Sequence, residues 1–245
     1  INPDGTNVPG FPYELGEKIQ RGVALADFNG NGKVDIVCGT DSENLWLLYD
    51  DLTIADGFPF EAGNDFRTDP TVLSINDEMI IFAGSRDDSF YALNSDGSIR
   101  FQIETGGDVG EASGFMDTGN GPGIFFGSND GYLYGVNLEG NALPGWPINL
   151  EEDIISSPSF ADLNGDNIVE VIVATNEKLF AIDLNGIIYN HFPITFSTSF
   201  TGSATIADLD LDGDLEVFAG SANGLLAIDV KENGSVANMW NMHRG

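Results

Sequence analysis

An aromatic residue held between a turn-forming glycine and a proline recurs along this chain. Gly10-Phe11-Pro12, Gly57-Phe58-Pro59 and Gly145-Trp146-Pro147 are full matches, while Arg100-Phe101-Gln102, His191-Phe192-Pro193 and Met239-Trp240-Asn241 keep the aromatic in place. Successive aromatics lie 47, 43, 45, 46 and 48 residues apart. A second landmark, the small residue closing an apolar run, falls at Gly39, Gly84, Gly127, Ala174 and Gly220, at spacings of 45, 43, 47 and 46. Two features in step over the whole chain mark a repeated supersecondary unit, one that buries its apolar faces by stacking on its neighbours.

Each unit divides into four short β-branched or aromatic runs, A to D, too short for helices and separated by Gly, Asn and Asp. The expected runs are 22–26, 34–38, 45–49 and 58–61 in the first unit, and 71–74, 79–83, 90–93 and 99–103 in the second. The third has 112–116, 123–126, 132–136 and 146–149; the fourth has 158–161, 169–174, 178–182 and 189–194; the fifth has 202–207, 215–219, 225–228 and 237–242. Four strands per unit at this period predict an all-β fold, a β-propeller of four-stranded antiparallel blades with helix nearly absent. Five blades are expected in one domain over 1–245, at about 21–62, 70–104, 111–150, 156–195 and 202–242. Residues 1–5 match the end of a C run, as at 93–97 and 182–186, so 11–15 is expected as a D strand completing a neighbouring or closing blade. The start at Ile1 is that of a processed chain or a fragment, and further blades or domains of a longer parent chain are expected to be compatible with it.

Acidic connections join run A to run B in three units. Asp208-Leu-Asp210-Leu-Asp212-Gly213-Asp214-Leu-Glu216 puts oxygen side chains at positions 1, 3, 5 and 9 of a loop, with glycine at 6, a spacing that wraps hard oxygen ligands around one point. Its relatives are Asp27-Phe-Asn29-Gly-Asn31-Gly32-Lys33-Val-Asp35 and Asp162-Leu-Asn164-Gly-Asp166-Asn167-Ile168-Val-Glu170. These loops start 135 and then 46 residues apart, in phase with the landmarks. EF-hands and dockerins use similar spacing but continue into a helix, whereas here 35–38, 170–174 and 216–219 read as buried strand. The alternative reading of these residues is a set of Asx turns without metal.

Taken with the five-fold period, the loops resemble the FG-GAP (VCBS-type) repeat of secreted bacterial proteins and of integrin α-subunit propellers. The resemblance covers nearly all of the chain and is specific in the first, fourth and fifth blades. It implies up to three structural Ca²⁺ ions. Their ligands would be Asp27, Asn29, Asn31, the Lys33 carbonyl and Asp35; Asp162, Asn164, Asp166, the Ile168 carbonyl and Glu170; and Asp208, Asp210, Asp212, the Asp214 carbonyl and Glu216. The fourth blade departs from the pattern at Asn167, where glycine is usual, although asparagine tolerates a left-handed backbone. The connection at 74–78 is too short for such a loop, and Gly119 and Gly121 replace ligands after Asp117, so the second and third blades are expected to be metal-free. Four carboxylates at the side-chain ligand positions of the fifth loop, against three and two in the others, rank it as the strongest site.

Charge narrows the partners. With 9 Lys and Arg against 39 Asp and Glu, the formal net charge is −30. Such a surface repels nucleic acid and anionic membranes and attracts cations or basic partners; solubility alone is the competing explanation. Cys38 has no cysteine to pair with and reads as a small core residue, and no apolar run is long enough to span a bilayer.

Two histidines, His191 and His243, offer no base to orient a nucleophile. Glycoside hydrolysis needs only two carboxylates, and the connections opposite the acidic loops supply many. Asp65, Asp69, Asp108, Glu111, Glu151, Glu152 and Asp153 lie in D-to-A connections; Asp41, Glu43, Asp87, Asp88, Asp130 and Glu177 lie in B-to-C connections. Solvated loop charge is the competing reading there. Two function classes follow. One is an extracellular or cell-surface binding, adhesion or protein-interaction module without catalysis, taking a protein or glycan ligand opposite the calcium loops. The other is a glycan-directed protein, either a lectin or a polysaccharide-active lyase or glycoside hydrolase, since rhamnogalacturonan lyases resemble this repeat. The scarcity of basic groups counts against a lyase, which must neutralise a uronate.

Overall fold

The computed structural model describes residues 1–236. The expected run at 237–242, Trp240 and His243 lie outside the described residues. No helix forms among the described residues, and their strands build five antiparallel sheets, the β-propeller type of fold that the repeat predicts.

The chain divides into two compact units, Ile1–Gln102 and Ile103–Gly245. In the first, β1 (Val23–Ala26), β2 (Asp35–Gly39), β3 (Asn44–Leu48) and β4 (Phe60–Glu61) pair in chain order, as do β5 (Thr71–Ile75), β6 (Glu78–Ser85), β7 (Ser89–Asn94) and β8 (Ile99–Glu104). In the second, the same order joins β9 (Gly114–Asp117), β10 (Pro122–Gly127), β11 (Tyr132–Val136) and β12 (Ile148–Asn149). It recurs in β13 (Ser159–Ala161), β14 (Glu170–Ala174), β15 (Lys178–Asp183) and β16 (Ile194–Thr195). β17 (Thr205–Ala207), β18 (Asp214–Ser221) and β19 (Gly224–Asn233) form the fifth sheet. The innermost strands of consecutive blades lie side by side within each unit, β1 with β5 and β13 with β17.

In the second and fourth blades the second strand is deeply buried and carries apolar residues on both faces. Ile80, Ile81 and Phe82 are fully buried in β6, and so are Val171, Ile172, Val173 and Ala174 in β14. In the first unit Phe60, Phe66 and Tyr91 form a ring cluster between the two sheets, with Phe60 and Tyr91 edge to face at 5.2 Å. In the second unit Phe125 meets Trp146 at 4.9 Å and Phe160 at 5.5 Å, and Phe200, Ala204, Ile206 and Val217 continue the core into the fifth sheet. The small landmark residue marks where a bulky side chain from the next connection seats, Phe66 against Gly39 and Ile154 against Gly127.

The outer strands are shorter than expected wherever the aromatic landmark carries proline. β4, β12 and β16 have two residues each, because Pro59, Pro147 and Pro193 have no N–H for the ladder and belong to the preceding turn. In those turns the Phe58, Trp146 and Phe192 N–H groups donate to Ala55, Leu143 and Tyr189 at 3.1, 3.0 and 3.0 Å. The second blade has Gln102 in place of proline, and its β8 runs for six residues. β9 begins two residues later than expected, and β19 extends to ten residues.

At the N-terminus the structure accepts one expectation and corrects another. The Asn2 and Gly5 N–H groups donate to Thr6 and Asn2 oxygens at 2.7 and 2.9 Å, the pattern by which Asn94 and Gly97 donate to Ser98 and Asn94. Residues 1–6 therefore form a C-to-D turn. The D strand expected at 11–15 does not form: those residues carry no ladder, and Pro12 has no donor for one.

The landmark glycine has a packing role. Gly57, at φ 83°, lies against the Asp96-Gly97 turn of the next blade, and Gly145, at φ 88°, lies against Asn185-Gly186 in the same way. Trp146 Nε1 donates to the Leu184 oxygen at 3.0 Å and completes the second joint. A methyl group on Gly57 overlaps the Asp96 carbonyl oxygen, backbone that cannot turn aside. Gly57→Ala is expected to lower unfolding free energy by about 2 kcal/mol, the scale of overpacking, in urea titration. Gly110→Ala, with open space at the same atom, is the matched control.

Candidate metal centre

The three acidic connections adopt one backbone scaffold. The carboxylate at position 1 accepts from the N–H groups at positions 4 and 6. Asp27 takes Gly30 at 2.8 Å and Gly32 at 2.7 Å; Asp162 takes Gly165 at 2.7 Å and Asn167 at 2.9 Å; Asp208 takes Leu211 at 2.7 Å and Gly213 at 3.2 Å. The carboxylate at position 9 reaches back to the N–H at position 2. Phe28 donates to Asp35 at 2.7 Å, Leu163 to Glu170 at 2.8 Å and Leu209 to Glu216 at 2.6 Å. The side chain at position 5 accepts from the N–H at position 7, in Asn31 with Lys33, Asp166 with Ile168 and Asp212 with Asp214. Position 9 opens strand B in the first and fourth blades and is its third residue in the fifth, and it is buried in all three, with Asp35 at 0 %, Glu170 at 2 % and Glu216 at 7 % exposure.

Positions 4 and 6 are both left-handed. Gly30 and Gly32 have φ of 73° and 82°, Gly165 and Asn167 have 72° and 66°, and Leu211 and Gly213 have 65° and 96°. Asn167 adopts the conformation expected of it. The requirement at position 4 was not anticipated, and Leu211 meets it without the freedom of glycine while its side chain stands 85 % exposed.

The fifth connection brings its acids together. Asp210, Asp212, Asp214 and Glu216 each place a carboxylate oxygen within 4.8 Å of the others, a donor set that can hold a metal ion. No other group of three or more carboxylate, imidazole or thiol ligands lies so close among the described residues. The membership differs from the expected set. Asp214 contributes its side chain as well as standing at the carbonyl position, while the Asp208 carboxylate is occupied by backbone N–H groups. Asp214 Oδ1 is enclosed and has no hydrogen-bond partner. The side-chain hydrogen bond with Asp212 pushes the Asp214 carboxyl up to about 6, with burial and the Asp212 charge acting the same way, and it holds Asp212 below the ordinary range. An oxygen-only donor set with an enclosed carboxylate oxygen fits a hard cation, which would relieve the repulsion between the clustered carboxylates.

The other two loops carry fewer acids. In the fourth blade, burial pushes the Glu170 carboxyl up to about 7, and the charges of Asp166, Asp162 and Asp183 act in the same direction. In the first blade Asn31 and Lys33 are drawn to Asp50 at 2.7 and 2.6 Å, so the loop is closed onto the C-to-D turn of its own sheet.

At the opposite ends of the sheets several candidate acids serve as braces. Asp87 accepts from Gly63 N–H at 2.8 Å and Tyr91 O–H at 2.6 Å. Asp130 accepts from Gly106 and Tyr132 N–H at 2.8 and 2.9 Å and from Tyr134 O–H at 2.7 Å; burial raises it, and these donors bring it below its usual value. Glu152 takes Thr175 Oγ1 and Lys178 Nζ at 2.6 and 2.5 Å, and Asp65 pairs with Arg67 at 2.8 Å. Glu17, absent from the sequence-derived candidates, is bound by Thr40, Asn44 and Trp46 at 2.6, 2.8 and 3.0 Å. The readable signal was a hydroxyl residue directly after the small landmark, at Thr40, Ser85, Ser128, Thr175 and Ser221.

No protein-family profile matches the chain, and comparison with curated proteins finds no match. Similar solved structures include a complex of BBS1N with ARL6DN, at 16% identity and TM-score 0.59 over 94% of this chain and 66% of that one. BamB from Moraxella catarrhalis aligns at 17% identity and TM-score 0.57 over 86% of this chain and 61% of its own. The V. cholerae biofilm matrix protein Bap1 aligns at 10% identity and TM-score 0.66 over 90% and 65%. Likeness at these identities establishes the fold, and this chain spans less than two thirds of the length of each.

Replacing Leu211 by glycine relieves a left-handed non-glycine residue and is expected to raise unfolding free energy by about 1 kcal/mol in urea titration at constant calcium. Glu170 sets a pH dependence. Its native carboxyl titrates higher than the unfolded one, so the native state holds the extra proton between them. Stability in chelator is therefore expected to fall as pH rises from about 4.5 to about 7 and then level. Glu170→Gln should remove that component from thermal melts across the range, leaving the slopes of the other acids.

Proposed function

We propose that this chain is a calcium-stabilised, extracellular or cell-surface interaction module of the FG-GAP/VCBS type, binding a protein partner and performing no chemistry of its own. The observation that carries the reading is the thrice-repeated loop scaffold culminating in the Asp210, Asp212, Asp214 and Glu216 oxygens within 4.8 Å. Ca²⁺ accepts six to eight oxygens at flexible angles, which suits carboxylates, side-chain amides and a carbonyl spread over nine residues. Each loop joins strands A and B of one blade, so an ion there fixes that connection and neutralises acids the fold has buried. Its role is structural, with the fifth blade contributing most.

Protein binding is supported by a structural neighbour captured with a partner protein, BBS1N with ARL6DN, and by one that belongs to a biofilm matrix. After the bracing acids are subtracted, Glu43 and Asp88 in the first unit and Glu151, Asp153 and Glu177 in the second remain exposed in the connections opposite the metal loops. A basic partner surface is complementary to them.

Thermal unfolding in millimolar calcium and in excess chelator tests the reading. A ligand at a hundred times its Kd stabilises by about 2.7 kcal/mol, which predicts a melting temperature several degrees higher with calcium. The double substitution Asp210→Asn and Asp212→Asn should remove most of that shift. An unchanged melting temperature defeats the calcium assignment, and cleavage products from a uronate-containing polysaccharide defeat the binding-only assignment in favour of the glycan-active enzyme.

A further inference from the structure

The two blades without an acidic loop have open space at the same end of the sheet. In the first blade the long connection folds over the C-to-D turn and is tied to it through Asp50. In the third blade the connection is only a tight turn, closed by Thr118 N–H and Oγ1 donating to the Gly121 oxygen at 3.0 and 2.8 Å. Beside that turn lies a cleft of about 280 Å³. The second blade has a counterpart of about 300 Å³, but its walls include Asp77, Glu78 and Asp96. The two clefts share an origin and differ in chemistry.

No residue lining the third-blade cleft is charged, in a chain of net charge −30. Three carboxamides, Asn120, Asn137 and Asn185, stand around a floor of Leu143, Pro144 and Leu184. Asn137 Oδ1 is used by the Glu139 and Asn141 N–H groups at 3.1 and 2.9 Å, which fixes the side chain and leaves its Nδ2 donor without a partner among the described residues. Among the described residues the Asn120 side chain has no hydrogen-bond partner, and its backbone N–H donates to Thr118. Asn185 Nδ2 reaches Asp183 at 3.3 Å, and its Oδ1 is left to accept. The backbone of these turns is satisfied internally, as in Asn137 N–H to Asn141 and Gly140 N–H to Asn137, so there is no strand edge to take up an extended peptide.

We propose that this cleft binds a neutral sugar. An anion finds no cationic side chain here and a metal ion finds no carboxylate, while free amide donors and acceptors side by side match hydroxyl groups that donate and accept at once. The Leu143, Pro144 and Leu184 surface suits the apolar face of a pyranose ring, and the volume is near the lower end of small-molecule sites, about 300 Å³. The site is independent of the loops that hold metal and lies at the same end of its sheet as they do, not among the acidic connections opposite.

The test is a titration of the whole ¹⁵N-labelled chain, in millimolar calcium, with the methyl glycosides of glucose, galactose, mannose and fucose, following the side-chain amide signals of Asn120, Asn137 and Asn185. At least one glycoside is expected to shift these signals saturably. Asn120→Ala, which breaks no protein hydrogen bond, should weaken binding about fivefold, the worth of one neutral hydrogen bond, with an unchanged melting temperature. No shift up to ~50 mM sugar, far beyond the ~1 mM scale of weak specific binding, overturns the proposal. So does an undiminished response in Asn120→Ala, and so do shifts produced by a Gly-Ser peptide and by none of the sugars.

Discussion

A sheet of four short strands cannot cover its own faces, and the rest of this molecule follows from that shortage. Within each unit the blades bury their apolar faces by lying against one another, and the second strands β6 and β14 are apolar on both faces. The Phe60, Phe66 and Tyr91 cluster in one unit and the Phe125, Trp146 and Phe160 cluster in the other are products of that stacking, and no single blade contains either. The joints are tight enough to dictate small residues at fixed places. Glycine recurs before the aromatic because the turn of the next blade occupies the position of its side chain.

Stacking also explains where the acids are difficult to keep. Strand B begins inside the core, so the last residue of each acidic loop is a buried carboxylate: Asp35, Glu170 or Glu216. A backbone N–H from position 2 satisfies part of its hydrogen-bonding capacity, and the exposed acids of the same loop stand close by. In Glu170 the imbalance shows as a carboxyl pushed up to about 7, and in the fifth loop as an Asp214 carboxyl pushed up to about 6 beside Asp212. A cation would relieve both, which ties the chemistry proposed for the loops to fold geometry as much as to charge.

At the other end of the sheets, acidity has a different use. Glu17, Asp87, Asp130 and Glu152 act as acceptors that hold neighbouring connections together, so high negative charge by itself says little about a binding face. The uncharged cleft of the third blade is distinguished by what it lacks. Where the connection is a short turn, side-chain amides stand without partners among the described residues, and beside the equally short connection of the second blade stand carboxylates.

Periodicity made most of the architecture legible beforehand. Landmarks in step imply repeated units, apolar runs of four to six residues imply strands, and nine-residue acidic loops imply three equivalent connections, because each of these depends on residues close together in the chain. The proline effect on β4, β12 and β16 was readable in the same local way, as Gln102 and the longer β8 show. The residues that act through space were not. Leu211 in a left-handed turn, Asp214 turning its carboxylate toward Asp210, Asp212 and Glu216, Glu17 reaching Trp46 across 29 positions, and the amides around the third-blade cleft all depend on how connections from separate strands meet. Sequence alone determined the repeat, the strand type and the metal-loop spacing, since backbone preference and hydrophobic period are local. Tertiary structure alone decided which acids converge, which are consumed as braces and where space is left open, since those outcomes depend on packing between segments far apart in the chain.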